Sequence, residues 1–133
     1  MADRYFTPEE VEALIPTLTD LVERLQAGHA EAESRRARMK AEEDRVAFSG
    51  GGIFDQAGWR ADRDALDAAV ARATKAIEAI HEIGGTPKDA RLGLVDFPTM
   101  RDGRVVNLCW KHGETRVTWW HGMDEGWAAR KAL

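Results

Sequence analysis

The sequence predicts an α+β fold: a long antiparallel helical hairpin, its first helix kinked at Pro16, followed by a C-terminal β-hairpin packed on it. Three features carry that expectation. Thr7-Pro8-Glu9-Glu10 opens a stretch with an apolar residue at every third or fourth position, the period of a helix with one buried stripe. A second stretch of the same period closes on Gly84-Gly85. From Arg104 the period shortens to the alternation of strands.

The start of the first helix is written in its capping chemistry. The Thr7 hydroxyl and Glu10 carboxylate satisfy orphan amides reciprocally, and Pro8 sits where no intrahelical partner exists. Val11, Leu14, Leu18, Leu21 and Leu25 form the stripe, widened by Ile15 and Val22, and Tyr5 or Phe6 is placed to staple onto Val11 or Leu14. Pro16 removes the bond to the carbonyl of Glu12, which predicts the kink. Beyond Gly28 the stripe thins to Ala32, Arg35 and Met39 within a highly charged segment reaching Arg45, which needs a partner to stay ordered. Phe48-Ser49-Gly50-Gly51-Gly52-Ile53-Phe54 breaks the helix. The second helix starts between Asp55 and Trp59 and reaches Ile83, with Trp59, Leu66, Val70, Ala73, Ile77 and Ile80 on a heptad seam. Gly84-Gly85 then caps it and Pro87 prevents continuation.

Residues 104–111 and 115–121 read as strands joined by His112-Gly113 as a two-residue turn. That register sets Lys111 opposite Glu114 and Leu108 opposite Val117. One face then carries Val106, Leu108, Trp110, Val117 and Trp119, with His121 at its far end. The other carries Asn107, Cys109, Lys111, Glu114, Arg116 and Thr118, together with Trp120. Cys109 and His121 are thus expected on opposite faces, Cys109 beside Arg116 as a reactive thiol, and Trp120 as an exposed indole for a partner or flat ligand.

The 133 residues, 44% apolar and 32% charged, suit one domain over 1–133, with the helical hairpin over about 7–84 and the β-hairpin and tail over about 93–133. A net charge of −4 and a pI near 5.6 disfavour nucleic acid as a partner. No apolar run approaches the ~18 residues of a membrane span, and the first residues lack a basic-then-apolar leader. Cys109 is the one cysteine, so no disulfide framework is available and a cytoplasmic setting is expected. Residues 1–85 hold 11 basic and 17 acidic side chains, residues 86–133 hold 8 and 6, an asymmetry that favours docking of the two parts within or between subunits. Two helices bury one seam, so a homodimer is expected to cover the surplus, and Phe48, Ile53 and Phe54 at the turn must fold back or meet another chain.

An ordered series then becomes specific: Gly93-Leu94-Val95-Asp96-Phe97-Pro98, Arg101-Asp102-Gly103-Arg104, Leu108-Cys109-Trp110, Gly113-Glu114, Trp120-His121 and Gly126. With the opening Arg4-Tyr5-Phe6-Thr7-Pro8-Glu9-Glu10 and the Leu14-Ile15-Pro16 step, it resembles the bacterial domain-of-unknown-function family numbered 2203. The resemblance implies a small cytosolic protein with a helical hairpin and a β-hairpin, and carries no reaction. The end, Gly126-Trp127-Ala128-Ala129-Arg130, departs from the family's Gly-Phe-Ala-Gly-Arg at two positions.

The polar members of that series, Asp96, Arg101, Glu114, His121 and Arg130, together with Trp120, form a candidate pocket. His121 would carry a proton, Asp96 or Glu114 would orient it, and Arg101 or Arg130 would grip a carboxylate or phosphate. Alternatively, Arg101-Asp102-Gly103 is turn chemistry and Glu114 pairs with Lys111 across the strands. Glu78-Ala79-Ile80-His81 has the Glu-x-x-His spacing of helical metal sites, and His29 with Glu33 could add ligands for a divalent iron, zinc or manganese. The leading reading is an oligomerising module that binds a protein partner or a small anionic ligand. The rival is a metal-dependent or acid–base enzyme using His121 with Asp96 and Glu114, or Glu78 with His81.

Overall fold

A computed structural model describes residues 4–50 and 52–133. Met1–Asp3, part of the leader reading, and Gly51 of the glycine turn lie outside the described residues. Helix α1 (Pro8–Phe48) is followed by α2 (Gln56–Glu82). A five-stranded antiparallel sheet comes next: β1 (Thr86–Asp89), β2 (Leu94–Arg101), β3 (Arg104–Lys111), β4 (Trp119–Gly122) and β5 (Lys131–Ala132), in that spatial order. The architecture is α+β, the helices packed on each other and on one face of the sheet.

The capping box forms as its chemistry requires: Glu10 N–H donates to the Thr7 hydroxyl, and Thr7 N–H to the Glu10 carboxylate. Phe6, just outside the cap, is buried in one cluster with Val11 and meets Phe97 edge-on at 5.1 Å. Its N–H donates to the Pro98 carbonyl at 2.8 Å. The helix start is thereby tied to the sheet. Val11, Leu18, Val22 and Leu25 of α1, with Ala76 and Ile80 of α2, close the core over Val95, Phe97, Leu108 and Trp110.

Between the helices the seam is smaller than its apolar period suggests. Gly28 lies against Ala69 and Ala73, while Arg35 meets Asp62 and Glu42 meets Asp55, so the helices run in opposite directions. The residues of α2 that become buried are Asp62, Ala69, Ala76 and Ile80. Val70, expected on the seam, is 39% exposed. The rest of the expected seam holds: Ile80 is buried and Trp59, Leu66, Ala73 and Ile77 are half-buried. Only the phase beside Gly28 differs, where the small size of Gly28 and Ala32 lets the backbones approach and brings Ala69 inward in place of Val70. The charged distal part of α1 finds its partner in α2: Arg35 bonds Asp62 at 2.8 Å, Arg38 adds a contact at 3.3 Å, and Arg35 also holds Glu31.

The β-hairpin differs from expectation. Its tight turn is Asp102-Gly103, joining β2 and β3 with Arg101 opposite Arg104. Both turn residues have positive φ, 51° and 77°, the backbone of a type I′ turn. Pro98 masks β2 in the sequence because proline cannot donate to a ladder. Its position lies beyond the reach of β1, whose pairs stop at Asp96, and its carbonyl bonds Phe6 instead.

The turn at His112-Gly113 exists, with Glu114 N–H donating to Lys111 O, yet the returning strand starts only at Trp119. Residues 114–118 spend their polar groups elsewhere. Glu114 accepts from Lys111 N–H through its side chain and from the Trp110 indole through its carbonyl. Val117 N–H donates to the Glu12 carboxylate of α1. When pairing resumes, Leu108 faces Trp120 where Val117 was expected, a slip of three residues. An odd slip exchanges the two faces of a strand. Trp119, expected in the core, is accordingly 36% exposed under the Arg130 guanidinium.

Two outcomes test this account. A leucine at position 28 has no room, since even a Cβ would lie 2.9 Å from the Ala69 carbonyl; Gly28→Leu is expected to lower unfolding stability by about 1–3 kcal/mol in urea titrations. At the far end, Arg45 and then the Asp55 N–H hold the Glu42 carboxyl down to about 2 from its ordinary 4.5. Because that value is depressed, the contact is complete above pH 4.5 and is lost as pH falls through about 2. The protection of the Asp55 amide, referred to its intrinsic exchange rate at each pH, should fall over that window while that of Ile80 does not.

Candidate functional site

The corrected register assembles what the expected one kept apart. Asp96 on β2 sits directly opposite Cys109 on β3, and His121 on β4 sits opposite Asn107, two residues along the same face. That face points away from the helices. Asp96, Cys109 and His121 are buried, at 3%, 1% and 3% exposure, and one ligand atom from each lies within 4.8 Å of the other two. Among the described residues, no other group of three or more His, Cys, Asp or Glu side chains gathers in this way.

His121 is held from both sides. Nδ1 lies 2.9 Å from the Gly122 carbonyl oxygen, which only accepts, so Nδ1 carries the hydrogen and donates. Nε2 lies 3.1 Å from Asp96 Oδ1 and 3.0 Å from Oδ2. A ring nitrogen without hydrogen and a carboxylate are both acceptors, so this contact requires a positive charge between them. A proton is the simplest occupant. The ring N–H direction serves Oδ1 alone, and the buried Oδ2 has no hydrogen-bond partner, a costly condition for a carboxylate oxygen.

Burial pushes the Cys109 thiol up to about 12, and the neighbouring Asp96 carboxylate adds to the rise. Arg116, expected beside Cys109, is 76% exposed and reaches Glu12 at 3.5 Å. The guanidinium proposed to activate the thiol is therefore elsewhere, and the thiol lies beneath the surface. A cavity of about 400 Å³ opens above the three residues, walled by Lys88, Asp89 and Leu92 on one side and by Glu125, Gly126 and Trp127 on the other. Glu125 is fixed by Lys131 at 2.6 Å and by the Gly122 N–H at 2.7 Å, which hold its carboxyl below the usual range.

The remaining candidates disperse. Glu114 pairs with Arg130 at 2.7 Å and organises the loop and tail, so of the two carboxylates expected to orient His121 it is Asp96 that reaches it. Arg101 lies over the Trp120 ring at 4.9 Å, with Lys131 at 4.8 Å from the same ring, so Trp120 is half-buried between two cations. Neither Arg101 nor Arg130 lines the cavity. His29 and Glu33 pair with each other at 3.1 Å on the surface of α1, and Glu78 and His81 are exposed on α2 without joining them. Lys88, Asp89, Leu92 and Glu125 are cavity residues that sequence reasoning missed. The bracketing of Thr86–Asp89 between Gly85 and Gly93 was the available sign of a short strand there.

A family model matches residues 4–133, nearly the whole chain. The chain belongs to that family, Uncharacterized conserved protein (DUF2203). It is the family that the Gly93–Gly126 series resembles. No curated protein and no solved structure matches this chain. Ala129, where the family pattern resembled above has glycine, lies in a short 3₁₀ turn (Trp127–Ala129) with ordinary φ, so alanine fits that backbone.

Two measurements check the site. In the folded protein an aromatic disulfide reagent at pH 8 should leave Cys109 unmodified, and one thiol per chain should react after denaturation. His121→Ala leaves the Asp96 carboxylate buried and unpaired, and should cost about 3–5 kcal/mol of unfolding free energy. A loss below 1 kcal/mol would mean that the pair is not buried as described.

Proposed function

We propose that this protein is a small ligand-binding module whose recognition site is the cavity over the outer face of the sheet. One observation carries the reading: the buried Asp96 carboxylate keeps an oxygen with no hydrogen-bond partner at the floor of an open cavity. Such a group is stabilised by whatever donor or positive charge enters. Asp89, Asp96 and Glu125 outnumber Lys88 around the cavity, which favours a cationic or hydrogen-bond-donating ligand over the small anion considered from sequence. A second reading, acid–base chemistry by the same pair, is supported by the proton needed between His121 Nε2 and Asp96. Self-association remains part of the proposal, supported by Phe48 and Ile53 at the α1–α2 turn, each 90% exposed. A cytosolic setting is likewise proposed, supported by the single free cysteine; among the described residues no helix is long and apolar enough to cross a membrane.

Fragment screening by amide NMR tests the cavity. Bound fragments should move the amides of Leu94, Asp96, Cys109 and His121, and Leu92→Trp at the rim should abolish these shifts while leaving stability within about 0.5 kcal/mol. Shifts confined to the helices, or none at all, would remove the reading. For self-association, light scattering should report a dimer whose dissociation constant rises at least tenfold in the Phe48→Ser, Ile53→Ser variant; a monomer at all concentrations would end that part.

A further inference from the structure

We infer that Asp96, Cys109 and His121 form a binding site for one borderline-soft divalent cation of the Zn²⁺ type, with a further coordination position open to the cavity. The inference rests on reading that cavity as a ligand site, and it names the ligand's chemical class.

The orientation of His121 supplies the first argument. A metal-binding imidazole characteristically donates its second N–H to a carbonyl or carboxylate, which fixes the tautomer and aims the free nitrogen. Here Nδ1 donates to the Gly122 carbonyl at 2.9 Å, and Nε2 is aimed at the Asp96 carboxylate. The second argument is charge. Nε2 stands 3.1 Å from Asp96 Oδ1 and 3.0 Å from Oδ2, the oxygen without a hydrogen-bond partner, and a cation satisfies all three atoms at once.

The third argument is the donor set. One sulfur, one imidazole nitrogen and one carboxylate oxygen suit Zn²⁺ and its neighbours, whereas Mg²⁺ and Ca²⁺ take oxygen ligands. Tetrahedral ligands at ordinary zinc distances stand roughly 3.3–3.8 Å apart. The three donor atoms already lie within 4.8 Å of one another, so side-chain rotation of about 1 Å closes the group. All three side chains come from paired strands, whose register holds their origins in place. Asp89 and Glu125 add negative charge at the cavity wall. With three protein ligands, the remaining position faces the cavity, the arrangement of sites that engage a further ligand.

The test uses the untagged full chain, stripped with chelator and titrated with ZnCl₂ or CoCl₂. One equivalent of either ion is expected, and Co²⁺ should add a thiolate-to-cobalt charge-transfer band. Cys109→Ser, at an unchanged circular-dichroism spectrum, should lose that band and weaken Zn²⁺ binding at least about 100-fold, beyond the usual cost of losing an outer-shell partner. Asp96→Asn should weaken it similarly. A measurement on the unaltered chain guards against variants that do not fold: Zn²⁺ should shift the His121 Nε2 resonance while Nδ1 keeps its proton. The inference is overturned by no uptake, by Co²⁺ uptake without the charge-transfer band, by an unmoved Nε2 resonance, or by uptake lost in His29→Ala or His81→Ala and kept in Cys109→Ser. No uptake alongside fragment shifts at the cavity would overturn the metal site alone. Zn²⁺ uptake at these residues with no fragment response would support it and remove the small-molecule reading.

Discussion

Two consecutive residues in left-handed backbone, Asp102 at φ 51° and Gly103 at φ 77°, set the register on which the sheet and everything packed against it depend. A type I′ turn matches the right-handed twist of its flanking strands and joins them through two residues only. Arg101 must therefore stand opposite Arg104, and each pair back to Leu94 and Lys111 follows. That pairing turns Val95, Phe97, Leu108 and Trp110 toward the helices and Asp96 and Cys109 away from them. A slip of one residue would carry carboxylate and thiol into the apolar core and the aromatic rings out to the cavity. Asp102 tolerates this backbone because short polar side chains visit the left-handed region at lower cost than others.

The third strand of the site is placed by a different device. Between Glu114 and Thr118 the backbone leaves the ladder: Val117 N–H donates to the Glu12 carboxylate of α1, the Thr118 carbonyl accepts from Leu133 N–H, and the Glu114 side chain turns back to accept from Lys111 N–H. His112 joins the same strapping, its N–H on the Gly93 carbonyl and its ring on Glu23 of α1. Val117 is thereby drawn into the core at 2% exposure, and β4 re-enters the sheet three positions later than an uninterrupted hairpin would allow. His121 arrives on the Asp96 side because of that detour. The site is built jointly by a tight turn and by an irregular loop, and its donor atoms span three strands.

Features decided by neighbours in sequence were legible from the chain. The capping box at Thr7, the helix end at Glu82, the strand over residues 104–111 and the turn at His112-Gly113 all depend on residues within a few positions of one another. What escaped depends on distant partners. That Ala69 turns inward while Val70 stays exposed follows from Gly28, 41 residues before Ala69, whose small size sets the close approach there. β2 was hidden by Pro98, whose harmless edge position is visible only once β1 and Phe6 are in place. The Asp96–His121 pairing was readable as a combination of residue types, while Cys109 could join it only in a register that the sequence pattern argued against.

The length of α1 has a mechanical side. The part of its stripe packed into the core shared with the sheet ends at Leu25, and at 1.5 Å per residue the remaining turns to Phe48 extend about 35 Å farther. Alanine contacts and ion pairs bind that extension to α2, so the two helices form a braced arm rooted in the sheet. A tilt of only about 5° at the root would carry its tip through roughly 3 Å over that length. His112 and Val117, which bond Glu23 and Glu12 near that root, belong to the same loop that delivers His121 to the cavity. The molecule thus has the proportions of a lever, with the cavity loop beside its short end and the apolar tip at its long one.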